Sequence, residues 1–364
     1  MGAMFRKRLI SRENFEAASV FDVNNDGVMD IVSGGYWYEG PDFTNKHKIA
    51  EIPTYGEYRG DFCDYPMDVN GDGFLDIITA SWFDDGLYWR ENPGDTGKEW
   101  KLHKVAVCSP VETVRCFDID GCGVLEVFPN TPMSAQCFFK LVTDEHGKGT
   151  GRFTKHVIGN EPSGHGMGFA DINGDGRMDI VLSNGWLEQP DNLFLDEWTY
   201  HKEFQFGSAS VPILGLDIAG NGMTDLIVGQ GHHYGLHWYE QRKKPDGGRY
   251  WIRRAIEEER SQYHDLWLMD IDNDGELELI TGTRWRAHNG NDPGEDQPIG
   301  LFYFKGVKGG TFTKHTIDFG DPGEASGVGI YFWVADTNND GYLDIVAPGK
   351  EGLYLFENLG AQAK

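Results

Sequence analysis

Seven stretches of this 364-residue chain start with aspartate and gather further oxygen-bearing side chains within nine positions. In Asp171-Ile172-Asn173-Gly174-Asp175-Gly176-Arg177-Met178-Asp179, positions one, three, five and nine are Asp171, Asn173, Asp175 and Asp179. Gly176 permits the sharp turn, and hard oxygen ligands crowded in this way suit Ca²⁺. An EF-hand is excluded, because that loop needs twelve residues, a final Glu and flanking helices. The same set recurs as Asp22, Asn24, Asp26, Asp30; as Asp68, Asn70, Asp72, Asp76; as Asp270, Asp272, Asp274, Glu278; and as Asp336, Asn338, Asp340, Asp344. Two further copies are incomplete: Cys122 stands at the fifth position after Asp118, and Ala219 and Asn221 follow Asp217. These two are expected to keep the turn and lose the ion.

A second chemical set lies at a fixed offset from the loops. Six residues before each first aspartate stand Glu16, Phe62, Glu112, His165, Val211, His264 and Ile330. Six to eight residues after the last acid of six of the loops come Tyr36-Trp37, Trp82-Phe83, Gly185-Trp186, Gly231-His232-His233, Arg284-Trp285-Arg286 and Lys350. Histidine and carboxylate can exchange protons, arginine and lysine can hold an anion, and aromatic faces can stack on sugar rings. Each tryptophan has a plainer alternative, packing between elements, and each inner polar residue could simply hydrogen-bond to a neighbour. His47, His103, His156, His201 and His315 repeat in one register and read as structural. No nucleophile elbow, phosphate loop or dinucleotide fingerprint is present.

The loop starts are spaced by 46, 50, 53, 46, 53 and 66 residues, by subtraction. Each loop follows a short apolar run and precedes a β-branched run such as Ile77-Ile78-Thr79. Next come an alternating aromatic run such as Leu87-Tyr88-Trp89 and a run of the form aromatic-x-x-His-x-aliphatic. Period-two patterning without helical periodicity predicts four short strands per repeat. Seven such units of about fifty residues predict an all-β, seven-bladed β-propeller forming a single domain over residues 1–364. Phe5-Arg6-Lys7-Arg8-Leu9-Ile10 fits the missing fourth strand of the last blade, so the N-terminal strand is expected to close it. At about 3.3 Å per residue, the offset set lies roughly 20 Å from the loops, on the opposite face. The polar insert from Arg286 to Pro298 is expected to fold over that face as a lid or specificity loop.

A net charge of −26 argues against nucleic-acid and anionic-membrane partners. No apolar run is long enough to span a bilayer. The 49 glycines favour tight turns. Five cysteines without metal spacing read as free thiols and, with no signal peptide, favour a cytoplasmic location. Removal of a signal would leave the extracytoplasmic alternative open.

The loops, together with Trp89-Arg90-Glu91-Asn92-Pro93-Gly94 and Ser261-Gln262-Tyr263-His264-Asp265-Leu266, resemble the FG-GAP/VCBS-repeat propellers. That superfamily includes integrin heads, fungal lectins, carbohydrate lyases and the propeller part of aldos-2-ulose dehydratases; the two segments look most like the last. The resemblance implies that Ca²⁺ serves as a structural clip in the loops. It also implies a lyase or dehydratase acting on a keto-sugar, an acidic sugar or an oligosaccharide. His165 or His264 would be base and acid, and Glu112 a metal ligand or alternative base. Arg284, His232 and Lys350 would hold developing negative charge, and Trp37, Trp82, Trp186, His233 and Trp285 would contact substrate. An additional divalent metal held by Glu and His would stabilise the same charge. A non-catalytic, lectin-like propeller is the alternative, and a protein-interaction propeller a third. The inner residues differ from repeat to repeat, which favours one unique site and hence an enzyme.

Overall fold

A computed structural model of the chain describes residues 2–360. It is all-β, with one 3-10 turn, Ala287–Asn289, and no α-helix among the described residues. Among the described residues no helix is long and apolar enough to cross a membrane. All five cysteines are free.

Each sequence repeat folds as a four-stranded antiparallel meander. Ser19–Phe21, Asp30–Ser33, Tyr36–Glu39 and Asn45–Lys48 make the first sheet. Tyr65–Met67, Asp76–Ala80, Gly86–Glu91 and Lys101–Val107 make the next. Thr113–Phe117, Glu126–Asn130, Gln136–Thr143 and Gly149–Gly159 follow in the same order. An eight-stranded sheet then joins two meanders through a parallel contact in which Gly168 faces Ile213. Tyr263–Met269, Glu278–Thr283, Ile299–Lys305 and Thr313–Gly320 form a further sheet. In the last, Trp333–Ala335, Asp344–Gly349 and Gly352–Asn358 take Phe5–Ser11 as their fourth strand, with Arg8 opposite Leu355.

The chain divides into two compact units. One runs through Pro129 and adds Cys137–Val157 and the chain from Val328 onward; the other is Asn130–Gln136 with Ile158–Gly327. Within each unit, second strands such as Asp76–Ala80 and Asp225–Gly229 are buried at every residue. Their unbroken Ile/Val runs are what a strand covered on both faces requires. Outer strands such as Lys101–Val107 stay largely wet and carry the charges that discourage edge pairing.

The repeated histidines have a structural role visible in these contacts. His47 stacks on Trp37 at 4.2 Å, His103 on Trp89 at 4.3 Å and His201 on Trp186 at 4.2 Å. Each also meets the carboxylate two residues beyond its tryptophan: Glu39 at 3.1 Å, Glu91 at 2.6 Å and Glu188 at 2.7 Å. His156 on Phe138 and His315 on Tyr303 keep the stack, but Lys140 and Lys305 replace the glutamate. Burial, and then the lysine charge, hold those two imidazoles below their ordinary pKa. Trp37 and Trp186 are each 1% exposed, which corrects their expected role as sugar platforms. The physical reason is register: Trp37 pairs with His47 and Trp186 with His201 across adjacent strands, so each indole face is covered from within.

Candidate functional site

The unit holding residues 158–327 gathers four imidazoles. His165 precedes the strand Met167–Ala170, His232 follows Asp225–Gly229, and His264 lies in Tyr263–Met269. The fourth, His288, comes from the 3-10 turn of the insert. His232 is central: its ring centre is 4.8 Å from His165, 5.6 Å from His264 and 4.1 Å from His288. The contacts to His165 and His264 are edge-on, whereas His232 and His288 stack within 12° of parallel. Gly231 permits this crowding, because a Cβ there would meet the His264 ring at 3.1 Å and Ser210 at 3.3 Å.

One carboxylate organises the stacked pair. Asp292 places Oδ2 2.8 Å from His232 Nδ1 and Oδ1 2.8 Å from His288 Nδ1. Burial alone would raise its pKa, but the hydrogen bonds from His232 and His288 outweigh burial and hold the group below the usual carboxylate range. An ionised Asp292 can only accept, so each imidazole carries its proton on Nδ1, and Nε2 is left as the atom that can take or give a second proton. The same three side chains stand close enough to share a metal ion. Two imidazoles and a carboxylate suit a zinc-like transition metal better than Ca²⁺, which prefers oxygen alone.

The insert supplying His288 and Asp292 is held against its own unit. Ala287 N–H donates to Gln262 Oε1 at 3.1 Å, Ser261 Oγ donates to Pro293 O at 2.5 Å, and Gln297 Nε2 donates to Glu259 O at 3.1 Å. Arg286, His288 and Asn289 all adopt positive φ, at 52°, 49° and 56°. Three left-handed non-glycine residues so close together cost on the order of 1–3 kcal/mol each and persist only where the surroundings impose them. Neither His288 nor Asp292 stood out in the sequence, although the insert did. The only sequence signal was a histidine four residues before an aspartate inside it.

The other expected residues are placed as follows. Arg284 is buried just after Glu278–Thr283, and its N–H donates to Gln262 O at 2.9 Å. Trp285 is half-buried, and His233 is exposed with its carbonyl accepting Gln262 N–H at 3.2 Å. Asp265, the residue after His264, accepts Leu266 N–H at 2.9 Å. Glu112, Lys350 and Trp82 belong to the other unit. There Glu112 is buried, Lys350 lies 3.7 Å from the equally buried Glu16, and Trp82 packs on Tyr58, Phe62 and Ile330.

In the loops, the sixth-position glycine is left-handed, as in Gly27 (φ 86°) and Gly176 (φ 88°). The ninth-position aspartate ties the loop to the third strand. Asp30 accepts Val23 N–H and Gly40 N–H, both at 2.8 Å, and Asp76 accepts Val69 N–H at 2.9 Å and Asn92 N–H at 2.8 Å. Burial pushes these carboxyls up, to about 6 for Asp30 and about 7 for Asp76. A bound dication would relieve that cost, so the oxygen sets at Asp22, Asp68, Asp171 and Asp336 fit Ca²⁺. At Asp171 the Arg177 guanidinium touches only Asp175 of the set, at 2.5 Å, and reaches out to Asp191. In the Asp270 loop, Lys305 Nζ stands 2.5 Å from both Asp272 and Asp274.

No protein-family model matches the chain. Over 98 residues it is 36% identical to mouse cartilage acidic protein 1 and 35% to the human protein. The match spans 25% of this chain and 15% of the length of those proteins. The crystal structure of BBS1N in complex with ARL6DN aligns with TM-score 0.54 at 11% identity, covering 97% of this chain and 94% of that one. The BP39L lectin of Burkholderia pseudomallei aligns with TM-score 0.52 at 12% identity, covering 99% and 97%. At such identities the likeness speaks to fold alone, and that fold is a propeller-like β architecture.

Proposed function

We propose that the chain is a single seven-bladed, closed propeller of FG-GAP/VCBS type, and that its histidine centre eliminates across a keto-sugar or acidic sugar. One observation carries this reading: a single ionised carboxylate, Asp292, orients two stacked imidazoles by their Nδ1 atoms. One carboxylate balances one imidazolium and not two, so the pair is suited to hold one extra proton. The neutral ring offers Nε2 as base, and the charged ring offers Nε2–H as acid. In the elimination, the base takes the proton beside the carbonyl or carboxylate, and the C–H electrons pass to the oxygen as an enolate. Return of those electrons expels the β-oxygen, which takes its proton from the second ring. Arg284 supplies fixed positive charge on the same unit. His165 and His264, edge-on to His232, confine the ring and wall the site. Were a divalent ion held by His232, His288 and Asp292 instead, these side chains would be its ligands and it would supply polarisation of the carbonyl in place of their proton exchange.

This assignment moves the base and acid from His165 and His264 to His232 and His288, because the orienting carboxylate stands on the latter pair. The partner is a small sugar or an oligosaccharide. The test is a panel of keto-sugars and uronate oligosaccharides, followed by the ultraviolet absorbance of the conjugated product. Absorbance growing with enzyme concentration on at least one class is expected. A panel that binds at several equivalent sites without any product would replace the elimination with the lectin alternative.

A further inference from the structure

We propose that two of the acidic loops carry their cation as a lysine of the chain itself: Lys305 in the Asp270 loop and Lys140 in the Asp118 loop. Lys305 Nζ lies 2.5 Å from Asp272, 2.5 Å from Asp274 and 3.9 Å from Glu278. Lys140 Nζ pairs with Asp120, lies 2.7 Å from Glu126 and reaches Cys122 Sγ at 3.4 Å. In each case the ammonium sits among the loop's own acids, where an ion would be gripped. Asp270, Asp272 and Glu278, and likewise Asp118, Asp120 and Cys122, stand close enough together to bind a metal. The lysine nitrogen already stands against two groups of each set, Asp272 and Glu278 in one and Asp120 and Cys122 in the other. An ammonium has three donors to spend and supplies one charge; Ca²⁺ supplies two charges but needs six to eight oxygens.

Two covarying positions make this a designed arrangement. The lysines occupy the third-strand place held by Glu39, Glu91, Glu188, Glu240 and Glu357 in the other meanders. In the same two loops, and in no other, the ninth residue is glutamate instead of aspartate: Glu126 and Glu278. In the aspartate loops one oxygen takes the loop amide and the other a third-strand amide, as at Asp179 with Ile172 and Gln189. Glu126 and Glu278 keep the loop amide on Oε2, from Ile119 and Ile271, both at 3.0 Å. Their longer side chains turn Oε1 toward the lysine instead. A third-strand lysine and a ninth-position glutamate therefore work as a pair that makes the loop independent of metal.

The inference rests on calcium occupancy of the remaining loops, so the test includes a control that fails separately. Intact protein is stripped with chelator and reloaded with Ca²⁺, and bound ions per chain are counted by native mass spectrometry. Asp68→Asn should lose about one ion, whereas Asp272→Asn should lose none, since ions that bind the native state register only where a site exists. Lys305→Ala should gain about one ion and acquire a melting temperature that rises with added Ca²⁺. An ion lost in Asp272→Asn overturns the proposal, as does Lys305→Ala with no gain. A Lys305→Ala protein that stays unfolded even in millimolar Ca²⁺ also overturns it, because the ion should replace the ammonium. A wild type that takes up no Ca²⁺ removes the calcium premise itself, and Asp68→Asn would then match it.

Discussion

His232→Ala should lower turnover of the eliminated sugar by about 10²–10⁴-fold, the usual cost of a missing general acid or base. The reason is its position: it touches the other three imidazoles and takes one oxygen of Asp292. Asp292→Asn is the sharper variant, since it keeps the shape and removes the charge. An asparagine can present an N–H to either Nδ1, which turns the ring's proton to Nε2 and removes the base. It should cut kcat more than it raises KM, because the carboxylate orients the rings rather than gripping substrate. The pH dependence of stability should also change. Asp292 is depressed in the folded state, so it contributes stability above the ordinary carboxylate range, which is lost as pH falls through its folded value. The variant should lack that acid-side decline. His201→Ala serves as the control: it breaks the stack on Trp186, should cost about 1 kcal/mol of stability, and should leave rate unchanged. Wild-type turnover in Asp292→Asn would remove the orienting role assigned to this carboxylate.

Deleting residues 1–11 should produce aggregation or a large fall in melting temperature. Phe5–Ser11 is the outer strand of the sheet ending in Gly352–Asn358, so its loss bares a row of backbone donors and acceptors. It also strips the partners of Glu357, which Arg8 meets at 2.5 Å and Arg6 meets through Nε at 2.5 Å. Glu357 is 6% exposed, and leaving a buried carboxylate unpaired costs about 3–5 kcal/mol. With Lys7 gone from above Tyr354, an aromatic face is uncovered as well. Light scattering and a thermal melt read the result. A soluble deletion variant that melts with the wild type would sever the N-terminal strand from the stability of this sheet.

Much of the architecture is legible in the sequence because its signals are local. Asp-x-Asn-x-Asp-Gly fixes a turn through its own side chains, and a β-branched run such as Ile77-Ile78-Thr79 after it favours a strand. The run Phe5-Arg6-Lys7-Arg8-Leu9-Ile10 fits the missing fourth strand, and it pairs with the last strand. The site was legible in part. The offset from the loops picked out His165, His232 and His264, which share one unit within ring contact, because strand length fixes where a strand ends. It could not find His288 and Asp292. Their positions depend on three left-handed residues in an irregular insert, a conformation that no periodicity encodes. The same offset misplaced Trp37 and Trp186, since alternation tells which residues share a face but not what covers that face. Lys305 escaped notice for a related reason. A lysine in a strand reads as solvent-facing until the pairing of Phe304 with Leu279 brings its neighbour over the Asp270 loop.

The central claim is one unique sugar site on the histidine centre, and a calorimetric titration with the unsaturated product tests it most directly. Product avoids turnover during the measurement and fills the same walls. The predicted result is about one site per chain in the wild type and no measurable binding in His232→Ala, with the melting curve retained. Several equivalent sites that persist undiminished in His232→Ala would contradict the account.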